Sequence, residues 1–200
     1  DGNADFHTIV AQMADIPRDQ AKTINLGLFY GMGKAKLQAE LGVSKDKAEE
    51  LFSIYHERVP FVKSLTRSVS NRAQQRGQIR TLLGRLCRFH LWEPNTFGMH
   101  KALPFDQAVQ EHGPGIKRAY TYKALNKLIQ GSAADMTKKA MVDLYKEGHL
   151  AHIQIHDELD FSIESDSQAD KIKDIMEKAV KLKVPNKVDY ESGPNWGEIK

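Results

Sequence analysis

The 200-residue chain carries 29 Lys and Arg against 26 Asp and Glu, a formal net charge of +3, with 40% hydrophobic and 28% charged residues. This is ordinary globular composition, with enough chain to bury a core. No apolar run approaches the roughly 18 residues needed to span a bilayer, the first residues lack the basic and apolar order of a secretion signal, and the single Cys87 excludes an intrachain disulfide and fits a reducing cytoplasm.

The charge is unevenly placed. Between Arg58 and His90 lie Arg58, Lys63, Arg67, Arg72, Arg76, Arg80, Arg85 and Arg88, with no carboxylate. Between Asp157 and Asp170 lie six carboxylates and no cation. A basic track and an acidic patch in one chain point to a polyanion partner together with a cation site.

In chain order, residues 5–14 read as a short helix with His7 near its start, broken at Asp15-Ile-Pro17. Residues 18–31 follow as the most informative helix. At about 100° per residue, Arg18, Lys22, Leu26 and Tyr30 share one side, while Ala21, Ile24 and Leu28 form the apolar stripe opposite. Two cations one turn apart can hold a run of phosphates, and an apolar residue followed by an aromatic ring can hold a sugar and a base. Gly31 and Gly33 end this helix, and a second spans 34–41 up to Gly42. Ser44 caps a third, with Ala48, Leu51, Phe52 and Tyr55 at core spacing. Pro60 restarts the chain into a helix over 61–76 that turns Val62, Leu65 and Val69 inward and Lys63 and Arg67 outward, ending at Gly77.

Residues 78–83 and 85–91 predict two short strands around Gly84, their arginines alternating with Ile79, Leu83, Leu86 and Phe89. Residues 93–115 show no strong period and read as a long excursion. The longest helical pattern covers 119–147, with Leu125, Ile129 and Met136 on one side and Leu128 nearby; Asn126 and Gln130 share another face, suited to sugar or base edges. In 152–163, apolar alternation on both sides of His156-Asp157-Glu158 predicts a hairpin with that triplet at its tip. Two adjacent carboxylates on a turn suit a hard cation such as magnesium. A helix over 167–182 and a strand around 187–190 complete the expected elements.

Arg18-x3-Lys22-x3-Leu26-x3-Tyr30-Gly31, then Asn126-x3-Gln130-Gly-Ser-Ala-Ala-Asp, then His156-Asp157-Glu158, then Gly-Pro-Asn-Trp near the end resemble, in this order, the C-terminal part of DNA polymerase I-like (family A) DNA polymerases, most of all the bacteriophage type. The resemblance covers essentially the whole chain, with 93–115 matching least. It implies an α/β (α+β) fold of right-hand polymerase architecture: helical fingers over 1–76, and a palm with a small antiparallel sheet over 77–200. The thumb and the first catalytic strand lie outside this stretch.

The resemblance also implies roles. Asp157 and Glu158 would hold magnesium, two ions in all, with part of the ligand set on an Asp contributed by an upstream segment or a second chain. Arg18, Lys22 and His7, in the segment Asp5-Phe6-His7, would grip the dNTP triphosphate, Lys22 acting also in catalysis. Leu26, Tyr30 and Gly31 would line the sugar and base site. His156 would hold the primer end, Asn126 and Gln130 the minor groove, and Arg58, Arg67, Arg72, Arg76, Arg80 and Arg85 the DNA phosphates.

The implied function is template-directed DNA synthesis on a primer–template, within a larger or split polymerase in a cytoplasm, a bacterial host's if phage-encoded, and with no membrane partner. The alternative is a non-catalytic fragment that binds primer–template or nucleotide. Two departures stand out. Leu26 occupies a position where the family usually has Phe or Tyr, which predicts poor use of dideoxynucleotides and altered fidelity. Tyr122 occupies one where many relatives carry a DNA-contacting Arg.

Overall fold

The computed structural model describes residues 8, 11, 12, 15–30, 32–96 and 98–199. His7, Gly31, the side chain of Arg58 and most of the helix expected over 5–14 lie outside the described residues.

Four helices follow local sequence signals closely: α1 (Arg18–Phe29), α2 (Lys34–Leu41), α3 (Lys45–Arg58) and α4 (Pro60–Arg76). Ser44 Oγ accepts from the Lys47 N–H at the start of α3, at 3.2 Å, and Pro60 opens α4 where its missing N–H costs nothing. Ala21, Ile24 and Leu28 of α1 pack with Leu37, Leu51, Tyr55, Val59 and Val62 into one apolar cluster. Inside it the Tyr55 hydroxyl donates to Asn25 Oδ1 at 3.1 Å, which ties α3 to α1.

Burial pushes the Tyr55 pKa up from 10.0 to about 12. The sign follows: the folded pKa lies above the unfolded one, so the contribution is complete below pH 10 and is lost as pH rises through about 12. Tyr55→Phe is expected to lower stability by about 1 kcal/mol at neutral pH and to flatten the fall in stability between pH 10 and 12. Urea unfolding of both proteins across that range measures it.

Gly77 ends α4 in the left-handed region, φ +67°, and a Cβ there would stand 2.7 Å from the Arg118 guanidinium. A hairpin follows, β1 (Gln78–Arg80) with β2 (Leu86–Arg88), in the register Ile79↔Cys87. Ile79 and Phe89 are buried, but Leu83, expected to face inward, is 48% exposed because it belongs to the turn rather than to a strand.

The stretch 93–115 is not a structureless excursion. β3 (Leu91–Pro94) pairs antiparallel with β4 (Leu103–Pro104) on one side and β5 (Ile116–Arg118) on the other, and α5 (Phe105–His112) lies between β4 and β5 in sequence, burying Ala108. Strands of two to four residues are too short to show a period, so the pattern that marks longer elements is missing. Packing holds them instead. Arg118 sits 4.4 Å above the Trp92 ring and donates to the Gln74 and Phe89 carbonyls, and Trp92 meets Phe105 edge-on at 5.0 Å.

The long helix starts later than its sequence pattern, because a 3-10 turn (Thr121–Lys123) occupies its expected first residues; α6 runs Ala124–Lys146. Beyond it lie β6 (Ile153–Ile155), β7 (Glu158–Asp160) and α7 (Asp166–Lys178). α7 ends four residues before the expected 182, and no strand forms over 187–190. A strand needs a ladder partner, and the Val188 N–H donates instead to Glu177 Oε1 of α7, at 3.0 Å.

The fold is therefore mixed α and β, with three small antiparallel sheets among the described residues, ordered β1-β2, β4-β3-β5 and β6-β7. The chain forms two compact units, one of residues 1–80 and 85–128, the other of residues 81–84 and 129–200. Among the described residues no helix is long and apolar enough to cross a membrane.

Candidate active site

In the first unit, α1 buries Ala21, Ile24, Asn25 and Leu28, and this docking turns Arg18, Lys22 and Leu26 outward, with Leu26 45% exposed. Tyr30 follows as the C-cap, its N–H on the Leu26 carbonyl at 3.0 Å and its ring edge-on to Phe29 at 5.4 Å. The helix thus presents two cations, an apolar side chain and a half-buried tyrosine along one side. Arg67, Arg72 and Arg76 are exposed on α4, Arg80 on β1, and Arg85 just before β2. Asn126 is half-buried in the first turn of α6. Gln130, one turn on and exposed, belongs to the second unit.

In the second unit, β6 and β7 pair Ile153↔Asp160, Gln154↔Leu159 and Ile155↔Glu158, leaving His156 and Asp157 as a two-residue turn. His156 takes φ 54°, the left-handed conformation such a turn requires, and Gln154 Nε2 donates to its carbonyl at 2.6 Å. His156, Asp157 and Glu158 are all exposed. The flanking strands are less buried than their alternation suggests, with Ile153 41% and Ile155 37% exposed.

A cleft of about 950 Å³ is lined by Asp157, Glu158 and Asp160 together with Met136, Met176 and Trp196. Asp160 is the residue that sequence reasoning missed. Its Oδ2 is buried without a hydrogen-bond partner among the described residues, although an orphaned carboxylate oxygen is costly. Its only sequence signal was membership of the acidic run.

The donor chemistry suits a hard cation: carboxylate oxygens on a turn, beside a third whose oxygen lacks a partner. The number falls short, since among the described residues no three His, Cys, Asp or Glu side chains gather into a metal site.

A sequence profile described as DNA polymerase family A matches residues 3–198. The chain belongs to that family. It is 33% identical to a DNA-directed DNA polymerase of Pseudomonas phage M6, over 98% of this chain and 32% of the relative. It is 34% identical to DNA polymerase I of Bacillus caldotenax, over 92% of this chain and 20% of the relative. Among solved structures, the POL domain of Pol1 from M. smegmatis, in complex with DNA primer-template and dNTP, superposes with a TM-score of 0.70 at 28% identity, covering 92% of this chain and 33% of that one. This family A chain thus spans a third or less of these relatives, and the family and mixed fold implied by its motifs both stand.

Proposed function

We propose that the chain is the fingers-and-palm portion of an enzyme that performs template-directed DNA synthesis in a cytoplasm, with 1–76 as fingers and 77–200 as palm. The observation that carries the reading is the His156-Asp157-Glu158 turn, set by an antiparallel hairpin at a cleft within a chain matched along nearly its whole length to family A. In the reaction a primer 3′-hydroxyl attacks the α-phosphate of a dNTP and pyrophosphate leaves. Bound magnesium would supply charge stabilisation at the reacting phosphate. Asp157 and Glu158 would hold it by their oxygens.

The remaining roles fall to side chains that bind and orient. Arg18 and Lys22, with His7, would grip the triphosphate, and Lys22 would offset charge developing on the leaving pyrophosphate. Leu26, Tyr30 and Gly31 would frame the sugar and base. His156 would hold the primer end. Asn126 and Gln130 would contact the minor groove, and the arginines from Arg58 to Arg85 the backbone phosphates.

A second protein segment completes this reading. Among the described residues the hairpin has two strands, with Ile153 and Ile155 partly exposed and the Asp160 oxygen unpartnered beside the cleft. An upstream segment or second chain bearing another Asp would cover these groups and supply the further ligand. The alternative, a fragment that binds primer–template or nucleotide without turnover, is favoured by the short ligand count among the described residues.

Primer extension separates the two. The chain is assayed with magnesium and dNTPs, alone and mixed with a polymerase segment supplying that Asp. Extension in the mixture is expected; DNA binding without extension in either assay establishes the alternative. The Leu26 assignment has its own test. Leucine has neither a flat face nor a hydroxyl, so Leu26→Tyr is expected to increase dideoxynucleotide incorporation relative to dNTP, and unchanged discrimination in a competition assay would refute the placement.

A further inference from the structure

The sequence Arg118-Ala-Tyr-Thr-Tyr-Lys places two tyrosines where a helix was expected, and the structure holds them in an unusual way. Ala119 is buried and its N–H donates to the Leu91 carbonyl at 2.8 Å, while Arg118 is bonded to Gln74 and Phe89. The chain is thereby pinned just before Tyr120, which adopts φ 60°, a conformation that costs a bulky L residue about 1–3 kcal/mol. The cost is not recovered by burial. Tyr120 remains 39% exposed and Tyr122 64% exposed, and Lys123 Nζ lies 5.2 Å from one ring centroid and 5.6 Å from the other.

The 3-10 turn carrying these residues packs on α4, the helix that exposes Arg67, Arg72 and Arg76, and all of them belong to one compact unit. Two exposed aromatic rings around an ammonium, on a turn packed against a helix that exposes arginines, match one kind of partner in both charge and shape. Arginines take phosphates, and flat rings take the faces of bases. Bases within a duplex have their faces covered by neighbours, so the rings suit a base that is unpaired.

We propose that Tyr120 and Tyr122, with Lys123 between them, form a platform that stacks an unpaired base of a DNA strand whose phosphates follow the arginines of α4. This rests on the DNA-synthesis reading and deepens it, because it assigns the platform to the single-stranded part of the template.

The test measures fluorescence anisotropy of the chain with labelled oligothymidine and with a blunt duplex of the same length. Stacking is worth about 1–3 kcal/mol per base, so Tyr122→Ala and Tyr122→Leu are expected to weaken oligothymidine binding about ten-fold. Tyr122→Phe, which keeps the flat face, retains it, and blunt-duplex binding is unchanged in all three. Tyr120→Gly, which relieves the strained φ, is expected to melt no lower than the parent and yet bind oligothymidine more weakly. Arg72→Gln lowers the salt slope on oligothymidine by about 0.7, the value for one phosphate on a single strand.

Parental oligothymidine binding by Tyr122→Ala overturns the proposal. So does an equal loss on both DNAs, or a Leu variant that binds as well as Phe. If the parent chain binds neither DNA, the DNA reading itself falls, and the platform with it.

Discussion

Asp157→Ala is expected to reduce primer extension about a hundred- to a thousand-fold while leaving DNA binding and thermal stability near those of the parent, in the mixture with the Asp-bearing segment. The magnitude is that of removing one preorganised electrostatic group from a site where charge develops in the transition state. Stability is spared because the side chain is exposed on a two-residue turn, held by the backbone pairing of Ile155 with Glu158 and by Gln154 on the His156 carbonyl. Asp157→Asn keeps the shape and removes only the negative charge, so it is expected to lose nearly as much. A single-turnover assay with saturating primer–template separates chemistry from binding. Extension by Asp157→Ala within about ten-fold of the parent would remove this residue from the catalytic role.

Thr81→Val is expected to lower stability by about 2–3 kcal/mol, the upper part of the range for depriving a buried charged group of a hydrogen bond. Thr81 is 5% exposed and donates its hydroxyl to Asp135 Oδ2 on α6, where Asp135 is 6% exposed. Next to it, the Leu82 N–H donates to Ser132 Oγ at 2.9 Å. Valine fills the same space without a donor, so the buried Asp135 carboxyl loses this hydrogen bond where water does not replace it. For a chain of this size the melting temperature falls by about 5–10 °C. Thr81→Ser keeps the donor and is expected to recover most of the loss. A Thr81→Val protein within about 0.5 kcal/mol of the parent in urea unfolding would show that this pair carries no such weight.

Both variants act on features of different visibility. Asp157 was identifiable because it sits in a short motif whose order along the chain, after Arg18–Tyr30 and Asn126–Gln130, marks the family. Thr81 was not, because its partner Asp135 is 54 residues away and nothing local distinguishes that threonine from any other. Asp160 was passed over for the same reason: a carboxylate in an acidic run looks solvated until the fold buries one of its oxygens.

The amino-acid sequence by itself determined the four helices from Arg18 to Arg76, their Ser44 and Pro60 starts and Gly77 end, the hairpin bearing His156-Asp157-Glu158, and membership of DNA polymerase family A. These depend on contacts between residues a few positions apart, so periodicity and capping residues suffice to reveal them. The tertiary structure alone decided that 93–115 contributes the end of β3, all of β4 and a helix to a three-stranded sheet, that 187–190 does not become a strand, and that Tyr120 turns left-handed ahead of α6. Each outcome is set by a partner far along the chain. Arg118 bonds to Gln74 and Phe89, Val188 to Glu177, and Ala119 to Leu91. Short elements carry too little local preference to resist such contacts, so packing and hydrogen-bond satisfaction choose their conformation.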